Sequence, residues 1–464
     1  MFKIMKLLLK VLSFLIISCV LFALTLRTCC YLAFGNIDFT LIIQHASLIK
    51  SYPILPFYKE IILGIILFSC LMYICCKYWK ISVFLCCGII LFFLWEELSF
   101  KRQKDMSLFK REYMTLHPKA NNQKTKNIIV ISLESFEDAW TFDDITNAGN
   151  LMPKLTSLKK EGISFDGYHQ VNAMMPTIPS FYSKNCGIAP RPTALFSLVT
   201  ESKYHSYGPF SNALCVSDIL KENNYHVYYV MGGELTDEGA KDFFDAHPID
   251  AAVGKYELLR LGYSQMGTAY FIPDLSLYEY SKRILSEVKD EPFALYIVTA
   301  NTHGPKNDLY RVEPECEKKY NDPRDVFLCL DKISFDFVKW CQAQPWYENT
   351  VIYLIGDHLT LPTSIFMNKQ NIKNHPHRQI YTLMLDGVHS NKVIKKEFTQ
   401  LDFAPTFLES IGFVSPKFGL GYSLFRDTPT LVEKLGEKTF VEELQKSTDD
   451  FHKIVNGITS NKEE

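Results

Sequence analysis

Asn127-Ile-Ile-Val-Ile-Ser-Leu133 is an unbroken run dominated by β-branched residues. Such a run, apolar at consecutive rather than alternate steps from Ile128 to Ile131, reads as a strand buried on both faces, the kind found in parallel sheets. A helical pattern follows near residues 152–160, and further apolar runs at 226–231, 293–299, 351–355 and 380–385 alternate with helical stretches at 218–222, 277–288 and 331–344. This alternation predicts an α/β fold, a mostly parallel sheet flanked by helices on both faces. The chain shows no internal repeat and no low-complexity segment.

In open parallel sheets, reactive groups collect just beyond the carboxyl ends of the strands. The first run delivers Glu134, the second opens on Gly232-Gly233-Glu234, the third leads to Asn301-Thr302-His303, and the fourth to Gly356-Asp357-His358. Any one of these alone reads as a turn residue or a cap. Together they set an acid, a histidine and an Asp-His pair at one rim.

Thr177, in Met174-Met-Pro-Thr-Ile-Pro-Ser180, has two readings. A hydroxyl here caps backbone N–H groups, with Pro179 in the first helical turn where its missing N–H costs nothing. The same position lies in positive potential, which favours an alkoxide and docks anions such as phosphate. Glu134, Asp357, His358 and the Thr177 hydroxyl would supply three oxygens and one imidazole nitrogen. That donor set suits one divalent cation, Mn²⁺ or Zn²⁺, with Mg²⁺ a further option. A cation there would lower the hydroxyl's pKa. His303, outside the metal shell, would clamp a phosphate oxygen or protonate a departing alkoxide.

The 464 residues carry a formal net charge of −2, which gives no reason to expect a nucleic-acid partner. Residues 7–26, 61–76 and 81–95 are nearly uncharged apolar runs. With Tyr58, Tyr78, Trp79 and Trp95 at their flanks, they predict an α-helical transmembrane anchor of about three helices within residues 1–99. The second and third are shorter than the ~20 residues a span usually takes, so buried core helices are the alternative. The first has a lysine-rich start like a signal peptide, but its apolar run continues through Cys19. Residues 100–126 are polar and basic and read as a linker, leaving 127–464 as the water-soluble domain.

Lys3, Lys6, Lys10, Lys77 and Lys80 favour an exterior location for that domain. The basic cluster from Lys101 to Arg111 argues the other way and is discounted, because long domains translocate largely regardless of charge. Eight of the thirteen cysteines precede residue 100, leaving Cys186, Cys215, Cys316, Cys329 and Cys341. None of these has the spacing of a CxxC zinc site. In an exported domain they suggest disulfides with one thiol over, and in a cytoplasmic one, buried free thiols.

Five blocks carry a family resemblance: NIIVISLE at 127–134, PTIPSFYSKNCGIAP at 176–190, TANTHGP at 299–305, PWYENTVIYLIGDHLTL at 345–361 and LDFAPTFL at 401–408. Over residues 127–424 the chain resembles the alkaline phosphatase and sulfatase superfamily. Within it, the likeness is to the membrane-anchored phosphoglycerol transferases, the group of the lipoteichoic acid synthases and phosphoglycerol transferase I. The resemblance implies Thr177 as nucleophile, Glu134, Thr177, Asp357 and His358 as metal ligands, and His303 as a catalytic and substrate-binding group. It also implies Lys241 near the donor phosphate, although Ala240 replaces the family glycine before it. Similar cysteine positions there imply Cys186–Cys215 and Cys316–Cys329 disulfides, with Cys341 free.

The function so implied is metal-dependent transfer of phosphoglycerol from phosphatidylglycerol, a membrane phospholipid donor, to a hydroxyl of an exported glycan. The expected location is a bacterial inner membrane, multi-pass, with the catalytic domain facing the periplasm or exterior. The alternatives are phosphoethanolamine transfer to lipid A or another glycan, and a non-catalytic membrane sensor or scaffold. The sulfatase reading fails on the residues: Cys186-Gly-Ile-Ala-Pro-Arg191 has Ile where formylglycine formation needs Pro or Ala, and Pro where it needs Arg. The acceptor and the oligomeric state are left open.

Overall fold

The computed structural model describes residues 107–446 apart from 115–116, 121–124, 172–173, 175–176, 191–211, 237–239, 264–270, 304–311, 361–374 and 376–377. Eight strands form the main sheet: β1 (Asn127–Leu133), β2 (Ile163–Tyr168), β3 (His226–Met231), β4 (Ala251–Val253), β5 (Phe293–Val298), β6 (Thr350–Gly356), β7 (Thr382–Leu385) and β8 (Lys392–Phe398). Their order is β4-β3-β5-β1-β6-β7-β2-β8. Only β7 runs against its neighbours; all other pairings are parallel.

The run that opened the sequence reading is the central strand, and all seven of its residues are buried. Ile128 and Val130 face one core, with Ile178, Phe181 and Tyr182 of α2 (Thr177–Cys186), Ile219 of α3 (Val216–Glu222) and Phe407 of α7 (Phe403–Ser410). Ile129, Ile131 and Leu133 face the other, with Leu155 of α1 (Pro153–Leu158), Leu277 of α5 (Asp274–Glu287) and Phe327 and Phe337 of α6 (Arg324–Gln342). Strict alternation of a strand's side chains makes this two-sided burial. Helix α4 spans Ala240–Ala246.

Several sequence readings are corrected. Strands β2, β4 and β8 were not expected, because β4 is only three residues long and the other two lack a continuous apolar run: β8 is Lys-Val-Ile-Lys-Lys-Glu-Phe and exposed along most of its length. Helix α6 starts at Arg324, seven residues before the expected position. Part of the expected linker is structured. Ser107 caps a helix over Leu108–Glu112, Leu108 and Phe109 are buried, and Lys119–Ala120 pairs with Phe413–Val414. Leu108 and Phe109, with ion pairs from Arg111 to Glu443 and from Glu112 to Lys417, dock this polar segment on the domain.

The expected spans, and residues 100–106, 115–116 and 121–124 of the expected linker, lie outside the described residues. Among the described residues no helix is long and apolar enough to cross a membrane.

Candidate active site

Strand register builds the rim. Leu133 lies beside Gly356 in the β1–β6 pairing, so the next residue on each strand, Glu134 and Asp357, emerge together. Ser132 lies beside Val298 in β1–β5, which brings Thr299 against Glu134. Gly356 must be glycine, because a Cβ would sit 1.9 Å from the Phe136 carbonyl oxygen. Ser135, just past Glu134, adopts a left-handed φ of 52°, an uncommon conformation for a serine. That turn aims its backbone N–H at Asp357 Oδ1, 2.7 Å away, while its hydroxyl donates to Glu134 Oε1 at 2.7 Å.

Thr177 begins α2, and its hydroxyl is directed at carboxylates rather than at backbone N–H groups. Thr177 Oγ1 lies 2.8 Å from Asp357 Oδ2 and 3.0 Å from Glu134 Oε2. With one hydrogen it can donate to only one of them. His358 Nδ1 lies 3.0 Å from the Leu359 carbonyl oxygen, so Nδ1 donates there and Nε2 is the nitrogen whose lone pair a cation would take. That Nε2 faces Glu134 Oε1 at 3.5 Å and Asp357 Oδ2 at 3.7 Å.

Ligand atoms of Glu134, Asp357 and His358 all lie within 4.8 Å of one another, and the three residues are 2%, 0% and 4% exposed. Two buried carboxylates, an imidazole lone pair and a hydroxyl with a single proton form a donor set short of hydrogens. It fits a divalent cation.

The electrostatics express the same shortage. Burial, and then the charge of Asp357, push the Glu134 pKa well above the usual carboxylate range. Burial also opposes ionisation of Asp357, but His358, Lys184 and the hydrogen bonds to Asp357 outweigh it and hold its pKa below that range. Burial pushes the Lys184 ammonium down to about 8, against the raising effect of Asp357 and Glu134. His303 packs on Phe271 with ring centroids 4.9 Å apart. Burial first and then His358 push its pKa down to about 4, so it is a neutral imidazole at neutral pH.

Lys241 does not join this group of side chains. It lies on α4 with its Nζ 2.7 Å from Asp245 Oδ2, one helical turn on, and both side chains are more than half exposed. Glu234 is outside the metal-ligand cluster as well.

A supporting shell surrounds the group. Thr299 Oγ1 accepts from the Glu134 N–H at 2.9 Å, Thr302 Oγ1 donates to the Glu134 carbonyl at 2.5 Å, and Ser180 Oγ donates to the Asp357 carbonyl at 2.6 Å. Glu137 is fully buried. It accepts from Arg378 Nε at 2.7 Å and from the Thr360 N–H at 2.8 Å, which anchors the chain just after His358. Ser135, Ser180, Lys184, Thr299, Glu137 and Arg378 escaped the sequence reading, which placed Thr302 at the rim without a role. Only Lys184 had a legible signal, a charge two helical turns after Thr177.

The disulfides are Cys186–Cys215 and Cys316–Cys329, and Cys341 is a buried free thiol. The first ties the end of α2 to the residue before α3. Cys215, Asp218 and His247 also cluster, but the disulfide occupies the Cys215 sulfur.

The family model of the sulfatases matches residues 126–413. The chain belongs to the sulfatase family. Its sequence is similar to phosphoglycerol transferase I of Salmonella agona (strain SL483), 29% identical over 309 residues, covering 64% of this chain and 38% of that protein. The same enzyme of Salmonella typhi matches to the same extent. This sulfatase-family chain thus spans well under half the length of those curated relatives. A protein of the alkaline phosphatase superfamily from Vibrio parahaemolyticus shares the fold with a TM-score of 0.54 at 21% identity, covering 69% of this chain and 74% of that one. The lipoteichoic acid synthase LtaP from Listeria monocytogenes does so with 0.53 at 14%, covering 74% and 96%.

Proposed function

We propose that this chain is a metal-dependent phosphotransferase that moves phosphoglycerol from phosphatidylglycerol to a hydroxyl of an exported glycan, with Thr177 as the nucleophile. The observation that carries this reading is the Thr177 hydroxyl at the start of α2, 2.8 Å from Asp357 and 3.0 Å from Glu134. An alcohol held against two buried carboxylates and an imidazole lone pair is placed for nucleophilic chemistry.

Glu134, Asp357, His358 and Thr177 would hold one divalent cation, Mn²⁺ or Zn²⁺, which when bound supplies Lewis acidity and a lower pKa for the hydroxyl. Thr177 Oγ1 attacks the lipid phosphorus and gives up its proton. The bond from phosphorus to the diacylglycerol oxygen breaks, and that oxygen leaves with a proton as diacylglycerol. A glycan hydroxyl then attacks the same phosphorus and gives up its proton, the bond from phosphorus to Thr177 Oγ1 breaks, and Thr177 takes a proton back. His303, as a neutral imidazole, donates an N–H to a phosphate oxygen and orients it. Lys241 would serve the donor phosphate only by leaving Asp245.

Family membership does not make the chain a sulfatase. Cys186 is bonded to Cys215 and is no source of formylglycine. Phosphatidylglycerol is preferred to phosphatidylethanolamine on the similarity to enzymes named phosphoglycerol transferase I and on three apolar N-terminal runs. The domain reading that goes with this function is an anchor over 1–99 and an exported catalytic domain over 127–464, preceded by a linker whose last part docks on it.

Intact-mass analysis tests the chemistry. Protein mixed with phosphatidylglycerol, without acceptor, gains a glycerophosphate adduct that peptide mapping assigns to Thr177. An adduct formed only from phosphatidylethanolamine would transfer the reading to that donor, and no adduct from either lipid would remove the covalent route.

A further inference from the structure

Lys184 is the one lysine of α2, and it lies seven residues after Thr177. Two turns of helix take 7.2 residues, so the two side chains share a face. The residue is 3% exposed. Its ammonium approaches Ser132 Oγ at 3.4 Å and the Gly356 carbonyl oxygen at 3.5 Å. Ser132 precedes Glu134 by two residues and Gly356 precedes Asp357 by one, so the charge sits against the ends of the two strands that carry the carboxylates. Contacts of that length are weak hydrogen bonds and do not compensate the burial of an ammonium. The carboxylate field is what remains to hold it there.

We propose that Lys184 is a built-in positive charge of the candidate active site, a positioning residue that completes the charge balance of a one-cation centre. The inference rests on the metal-site reading above. Ionised Glu134, ionised Asp357 and a Thr177 alkoxide carry three negative charges. One divalent cation brings two positive charges and Lys184 brings the third, so the site is neutral when its nucleophile is ionised. Two consequences follow from Coulomb's law. Lys184 weakens the binding of the cation while favouring the alkoxide, and it disfavours a second divalent cation beside the first.

The test is Mn²⁺ titration calorimetry on the full-length protein with Lys184→Met and Lys184→Gln. Circular dichroism of the metal-free proteins checks the fold. Wild type is expected to bind one ion per chain. Both variants are expected to bind the ion about tenfold or more tightly, yet to form the Thr177 adduct from phosphatidylglycerol about tenfold or more slowly. Unchanged or weaker binding in both folded variants overturns the proposal. So does failure of both to fold even with Mn²⁺ present, which makes Lys184 a structural residue. Tighter binding in the variants, with no adduct in wild type, upholds the charge role and removes the transferase reading alone.

Discussion

Thr177 is the residue on which the two sequence readings divide. As a cap, its hydroxyl would serve backbone N–H groups; in the structure it meets Asp357 and Glu134. Thr177→Ala should therefore abolish adduct formation and lower turnover by about a thousandfold or more, while stability changes by no more than about 1 kcal/mol. A denaturant melt and an adduct assay measure the two effects together, and full activity in the variant would return Thr177 to a cap. Asp357→Ala should abolish tight metal binding, because Asp357 faces both Thr177 and His358 across the cluster. Metal analysis after gel filtration checks this, and undiminished metal content would place Asp357 outside the ligand set.

Elements hold these residues through buried polar groups that no periodicity reveals. Asp274, at the start of α5, is fully buried and accepts the N–H groups of Ala300 at 2.7 Å and Asn301 at 3.0 Å. It thereby holds the segment that leads to His303. Burial pushes its pKa up to about 8, against about 3.9 in an unfolded chain. The folded state therefore favours the protonated acid. Its contribution is fully present below about pH 4 and is lost as pH rises through about 8. Asp274→Asn cannot ionise, so its melting temperature should gain on wild type as pH rises across that window. Parallel curves for the two proteins would refute the shift.

The Cys186–Cys215 disulfide acts on an element too, anchoring the end of α2 opposite Thr177. Its sequence separation is 29 residues. Replacing both cysteines by serine should cost about 3.5 kcal/mol in the chain-entropy model, read from urea melts.

At the scale of the whole molecule, the described residues belong to one compact unit with two stapled loops and a fully buried thiol at Cys341. Disulfides of this kind persist in oxidising compartments, which supports an exported domain. Non-reducing peptide mapping of protein taken from cells with thiols blocked at lysis should recover Cys186–Cys215 and Cys316–Cys329 as linked peptides. Recovery of all five thiols blocked would place the domain in the cytoplasm and remove the lipid-headgroup reaction at the outer face.

The sequence by itself determined the α/β class, because β1, β5 and β6 are buried on both faces and so must be written as continuous apolar runs. It also singled out Glu134, Thr177, Asp357 and His358 as candidates, since Glu134 and the Asp357-His358 pair come after strands, Thr177 begins a helix, and all four lie in the blocks that carry the family resemblance. Strands β2 and β8, nearer one edge of the sheet, are partly exposed and carried no such signal. What only the tertiary structure decided was proximity. Strand register brings Glu134 beside Asp357 over a sequence separation of more than two hundred residues, and the left-handed turn at Ser135 orients them. The roles of Lys184 and Asp274 emerged only there, because the field that gives a buried charge its role comes from groups distant in the chain.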